Sequence, residues 1–207
     1  MKMLLRTLQS RALLRSAGPL RSRLHRSSSH AAVPRPKLYH LRGTGATGIN
    51  RCDVRTEDGF TITTDTPRAQ GGSNEAAQPV LLLLASLCGC KHATARFVAF
   101  KMRRRIGKID FDIRAERDER GAIGMGEGGE AEDALRADLP VPARLLRIWG
   151  SAVVHAAETD LTDAEVQVLA EQVHRRCPVA NMVTLSGCEL QIDWRLHDNC
   201  DDHDATT

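Results

Sequence analysis

The sequence predicts an α+β fold, on three observations. Apolar and polar residues alternate through Phe60-x-Ile62-x-Thr64 and again through Ile109-x-Phe111-x-Ile113-x-Ala115, the period of a strand with one wet face. Between them lies LLLLASLCGCKHATARF, residues 81–97, an apolar run too long for a strand. Further on, Thr162-x-x-Glu165 is a capping box at the head of an amphipathic segment. At 207 residues the chain is long enough for one domain with a substantial core.

The elements follow in chain order. Residues 1–33 carry Leu and Arg at near-helical spacing with abundant Ser. The first 30 residues hold seven Lys or Arg and no acid. That composition predicts a mitochondrial transit peptide, and so a matrix location. A secretory signal would need an unbroken apolar core, which Arg6, Arg11 and Arg15 interrupt. Beyond this segment, acids outnumber bases 26 to 22, so charge gives no case for nucleic acid binding.

From Leu38 to Thr66 the pattern is a β-hairpin turning at Glu57-Asp58-Gly59. A connection, RAQGGSNEAAQP, leads to Pro79, which suits a first helical turn. A helix is expected from there to about Ile106, stopped by Gly107. Its first half is apolar on nearly every side, as in a buried central helix, and Leu83, Leu87, Cys90, Thr94 and Phe97 form one stripe. Charge begins at Lys91, so no membrane span is expected.

A strand is expected over Ile109–Glu116, then a Gly/Ala/Glu-rich excursion at 119–140 and a strand from Arg144 to Ala156. A helix follows from the capping box to about Arg176, then a last strand at Glu189–Leu196 and a polar tail at 198–207.

The chemistry lies in the cysteines. Six of them without a secretory signal do not read as a disulfide framework. Cys88-x-Cys90-x-His92 looks like part of a metal site. On a helix, however, residues two apart point roughly 200° apart, so one face offers only one thiol. No metal and no cofactor is therefore expected. Pro178 breaks the second helix and would start a short new one, placing Cys177 at a helix N-terminus beside Arg175 and Arg176. That setting favours a reactive thiolate; the alternative is a small buried apolar residue.

Two motifs resemble the OsmC/Ohr family, the osmotically inducible and organic hydroperoxide resistance proteins. LLLASLCGCKHAT is similar to the family's central-helix motif (E)LLLASLGAC-x-x-x-T, and CPVAN to its second-cysteine motif CPV-x-x-(T/L). The resemblance covers roughly residues 38–197. It implies an OsmC-like fold: antiparallel sheets around a long buried central helix, in an intertwined homodimer with sites at the subunit interface. It further implies that Cys90 attacks an organic or lipid hydroperoxide and that Cys177 resolves the resulting sulfenic acid into a disulfide. A dithiol or lipoyl group would then reduce that disulfide.

Two departures stand out. Cys88 replaces a family glycine, and by the helix argument its thiol packs away from Cys90. Leu81 occupies the position where the family's peroxidases carry a Glu that holds a thiolate-stabilising Arg. Arg68, Arg51 and Arg55 are candidates for that Arg, and Thr94 matches the motif's threonine. His92 should face away from Cys90. Two readings therefore stand: a thiol peroxidase, favoured by retention of both cysteines, and a non-catalytic redox-sensing or small-ligand-binding dimer, favoured by Leu81.

Overall fold

The computed structural model describes residues 37–121, 141–157 and 161–197. The expected transit segment, the polar tail and nearly all of the 119–140 excursion lie outside the described residues.

The first sheet is a meander of β1 (Leu41–Gly45), β2 (Cys52–Thr56) and β3 (Thr61–Thr64), antiparallel throughout. The expected hairpin is thus its second half, and Gly59 makes the expected turn at a φ of +87°. The additional strand closes through Ala46–Arg51, where the Ala46 N–H donates to the Arg51 carbonyl at 2.8 Å. Its sequence, LRGTG, lacks the alternation that would have marked it.

Helix α1 spans Pro79–Lys101, with the proline in its first turn as expected. It ends earlier than Gly107. Arg103 adopts a left-handed conformation at φ +58°, and the Arg104 N–H reaches back to the Ala99 carbonyl at 2.9 Å. Ile106 is then free to start strand β4 (Ile106–Arg117), where its side chain is buried. Burying that isoleucine outweighs another helical turn, a tertiary choice that local pattern does not contain.

The second sheet is β4, β5 (Leu145–Ala156) and β6 (Glu189–Leu196), with β5 central. β4 and β5 pair antiparallel, but β5 and β6 pair parallel, against the antiparallel expectation. The reason is the connection: α2 (Asp163–Arg176) and α3 (Pro178–Leu185) intervene, and such a crossover returns the chain in its original direction. The capping box of α2 is complete: Glu165 N–H donates to Thr162 Oγ1 at 3.3 Å, and Thr162 N–H to Glu165 Oε2 at 3.0 Å.

Two apolar clusters hold these layers together. In one, Ala95, Val98 and Ala99 of α1 meet Val166, Leu169 and Val173 of α2 over Ile109, Val154 and Trp194 of the sheet. In the other, Leu87 of α1 meets Ala180 and Val183 of α3 over Ile148.

The stripe of α1 buried within its own chain is Leu87, Lys91, Ala95, Val98 and Ala99. This differs from the expected stripe, because Leu83 and Phe97 are 41% and 57% exposed. Leu81 and Phe100 are open as well. By length and composition alone α1 could cross a membrane, contrary to the sequence reading. Its buried stripe packs on α2, α3 and the sheet.

Candidate functional site

Cys90 lies midway along α1, half-buried, against the cluster that contains Cys177. Cys177 is fully buried and serves both as the end of α2 and as the N-cap of α3. Pro178 enforces this break, because it cannot continue α2 but fits the first turn of α3. The Ala180 N–H donates to the Cys177 thiol at 3.4 Å, and Asn181 Nδ2 donates to its carbonyl at 2.8 Å. Cys90 packs against the apolar cluster to which Cys177 belongs, and the two thiols act on each other electrostatically. Residues 87 positions apart in sequence thus form one dithiol site.

The electrostatics differ from the sequence expectation. Burial pushes the Cys177 thiol above its ordinary range; the Ala180 N–H pulls it down, the Cys90 contact pushes it up, and Lys91 pulls it down. Desolvation wins over the helix N-terminus because the thiol has no access to water. Nor do the neighbouring guanidinium groups help. Arg175 pairs with Glu171 at 3.0 Å and Arg176 with the Gln172 side chain, and both are exposed.

The other expected residues separate into those near the pair and those away from it. Thr94 donates its hydroxyl to the Cys90 carbonyl at 2.8 Å, so it braces the helix backbone and not the thiol. Cys88 is half-buried; burial raises its thiol, while Lys91 acts to lower it. Arg51 pairs with Glu75 at 3.3 Å and Asp53 at 3.7 Å, Arg68 Nε donates to the Ser73 carbonyl at 3.4 Å, and Arg55 is exposed on β2. None of these three guanidinium groups is among the charges acting on Cys177.

Arg51 and Arg68 border a loop that Asp65 organises. This fully buried carboxylate accepts from the Thr66, Ser73 and Glu75 N–H groups at 2.7, 3.1 and 3.0 Å. The Glu75 bond above all holds it below the ordinary carboxylate range.

Sequence reasoning missed Lys91. It is 2% exposed on the inner stripe of α1, with Leu87 one turn before and Ala95 one turn after, both fully buried. Burial pulls its ammonium below the ordinary range, and Cys177, Cys88 and Cys90 act to restore it. Its signal was present: a lysine at the centre of an apolar i, i+4, i+8 row. Among the described residues, no group of three His, Cys, Asp or Glu is placed to hold a metal ion.

A central helix whose thiol packs against the cluster of a second cysteine at a helix start, within this α+β frame, defines a class of paired-cysteine proteins. The profile of the OsmC family, OsmC-like protein, matches residues 72–193, and the chain belongs to that family. The crystal structure of an OsmC-like protein from Mycoplasma pneumoniae matches with a TM-score of 0.58 at 18% identity, covering 79% of this chain and 100% of that one. An organic hydroperoxide resistance protein from Elizabethkingia anophelis matches with a TM-score of 0.54 at 19% identity, covering 79% and 100%. An organic hydroperoxide resistance protein OsmC from Legionella pneumophila gives 0.51 at 17%, covering 78% and 99%. At these identities the likeness is one of fold. No curated protein matches significantly.

Proposed function

We propose that this protein is a thiol peroxidase that reduces organic or lipid hydroperoxides. The observation that carries the reading is that Cys90 packs against the apolar cluster that contains Cys177. In the first step the Cys90 thiolate attacks the terminal oxygen of ROOH. The O–O bond breaks, the alkoxide takes a proton and leaves as ROH, and Cys90 becomes a sulfenic acid. Cys177 then displaces water from that sulfur, forming the disulfide. A dithiol such as dihydrolipoamide exchanges with the disulfide, leaving as its own disulfide and restoring both thiols. Apolar walls suit a substrate with a hydrocarbon chain better than hydrogen peroxide.

The experiment is turnover of purified protein with cumene hydroperoxide and dithiothreitol or dihydrolipoamide. Catalytic consumption is expected, with hydrogen peroxide a poorer substrate. No consumption of any hydroperoxide would leave the second reading, a redox-sensing or ligand-binding dimer. Leu81 and the absence of Arg51, Arg55 and Arg68 among the charges acting on Cys177 favour that reading.

The same proposal includes a homodimer in the mitochondrial matrix. Support for the dimer comes from the open apolar face of α1 and from Leu41, Phe60 and Ile62 of the meander, 58%, 68% and 40% exposed. Support for the location is the acid-free leader. Sedimentation should give twice the protomer mass, and residues 1–35 should carry a fluorescent protein into mitochondria. A monomer or a cytosolic fusion would remove the corresponding part.

A further inference from the structure

The dithiol site contains a buried lysine that the two cysteine motifs do not specify. Lys91 is 2% exposed at the junction of the two apolar clusters, and it has no carboxylate partner among the described residues. An ammonium in such a place is costly unless an anion accompanies it. The titratable groups acting on it are three thiols: Cys177 from the joint between α2 and α3, and Cys88 and Cys90 from α1 itself. No acid from α2, α3 or the sheet is among them. Among the described residues, the anion available to Lys91 is therefore a thiolate.

We propose that Lys91 is the counter-ion and proton carrier of the Cys90–Cys177 pair, fixed on the same helix as the attacking thiol. The inference rests on the peroxidase reading for its place in turnover, but not for its electrostatics. When a thiol ionises, its proton passes to the Lys91 amine, giving an ammonium–thiolate pair in place of two neutral groups. After the thiolate attacks ROOH, the departing alkoxide takes a proton from the ammonium and leaves as ROH. The regenerated amine accepts the proton of the Cys177 thiol. That thiolate attacks the Cys90 sulfenic sulfur, and the hydroxide released takes the proton back and leaves as water. The two thiol protons leave in ROH and water, Lys91 ends as the amine it began as, and the only electrons transferred are the two that reduce the peroxide.

This arrangement accounts for a site without the Glu that holds an Arg. A cation borrowed from a loop needs a holder, whereas a lysine one residue from the thiol, packed between Leu87 and Ala95, is held by the helix. Lys91 also acts on both cysteines, so one residue serves the attack and the resolution.

The test is iodoacetamide alkylation of the reduced full-length chain against pH, quantified at Cys90 by peptide mass spectrometry, with no peroxide present. Lys91→Met should alkylate about tenfold more slowly at neutral pH, the effect of about one unit of lost thiolate stabilisation. The two rates should converge under strongly alkaline conditions, where a thiolate forms without a counter-ion. Lys91→Arg should keep most of the neutral-pH rate. An unchanged Lys91→Met profile, a loss that is equal at every pH, or Lys91→Arg as slow as Lys91→Met would overturn the proposal. If Lys91→Met does not fold, Lys91→Gln is read by the same criteria. Dependence on Lys91 without hydroperoxide turnover would sink the peroxidase reading alone. Turnover with unchanged alkylation profiles would sink the Lys91 proposal alone.

Discussion

Cys90→Ser should abolish hydroperoxide turnover, lowering the rate on the order of a thousandfold or more, because a serine hydroxyl cannot replace a thiolate at the peroxide oxygen. Cys177→Ser should behave differently. It should consume about one equivalent of peroxide per site and stop with Cys90 as a sulfenic acid, which excess peroxide carries on to the sulfinic form. The structure separates this chemical loss from a folding defect. The Cys177 thiol accepts the Ala180 N–H at the start of α3, and a serine oxygen accepts the same bond, a preferred N-cap. After one equivalent of cumene hydroperoxide, the wild type should yield a Cys90–Cys177 bridged peptide by mass spectrometry. A bridge from Cys88 instead would show that the attacking thiol lies on another face of α1, and wild-type turnover by Cys90→Ser would end the mechanism.

Gly150→Ala should cause the largest loss of stability. Gly150 sits at the middle of β5, between Ile113 of β4 and Ile192 of β6, at a φ of +150°. A Cβ there would lie 1.9 Å from the Asp112 carbonyl oxygen and 3.0 Å from the Ile113 Cα. Those are backbone atoms of a paired strand, so no side-chain rotation relieves the contact. The strained backbone and the overpacking together should cost about 3 kcal/mol or more. In a chain of this size that lowers the melting temperature by roughly 6–12 °C. Ile148, two residues earlier, backs the Cys177 cluster, so half-life under peroxide assay should shorten too. A calorimetric midpoint within about a degree of wild type, well inside the expected shift, would contradict this account of the sheet.

How much was legible follows the range of the interactions involved. The capping box at Thr162, the break at Cys177-Pro178, the turn at Gly59 and the amphipathic strand after Gly107 all depend on residues a few positions apart, and each is found where its pattern placed it. The two cysteine motifs were also local, and the family they resemble is the one to which the chain belongs. The end of α1 was misread because Gly107 is a good stop signal, while the actual stop is Arg103 at a positive φ. Burial of Ile106 in the sheet imposes that stop.

The site divides in the same way. The sequence by itself determined which thiols are present, that Cys90 would occupy a helix face different from that of Cys88, and that Cys177 would begin a helix, because helical period and proline geometry are properties of the chain. Only the tertiary structure decided that α2 and α3 fold back over α1, so that Cys177 and Cys90 come to one apolar cluster. It also decided that burial outweighs the helix N-terminus at Cys177, that Arg175 and Arg176 turn outward, and that the lysine beside Cys90 is sealed among apolar side chains. The charge state and reactivity of a thiol depend on solvent exclusion and on neighbours brought from distant parts of the chain, and neither exists until the elements have packed.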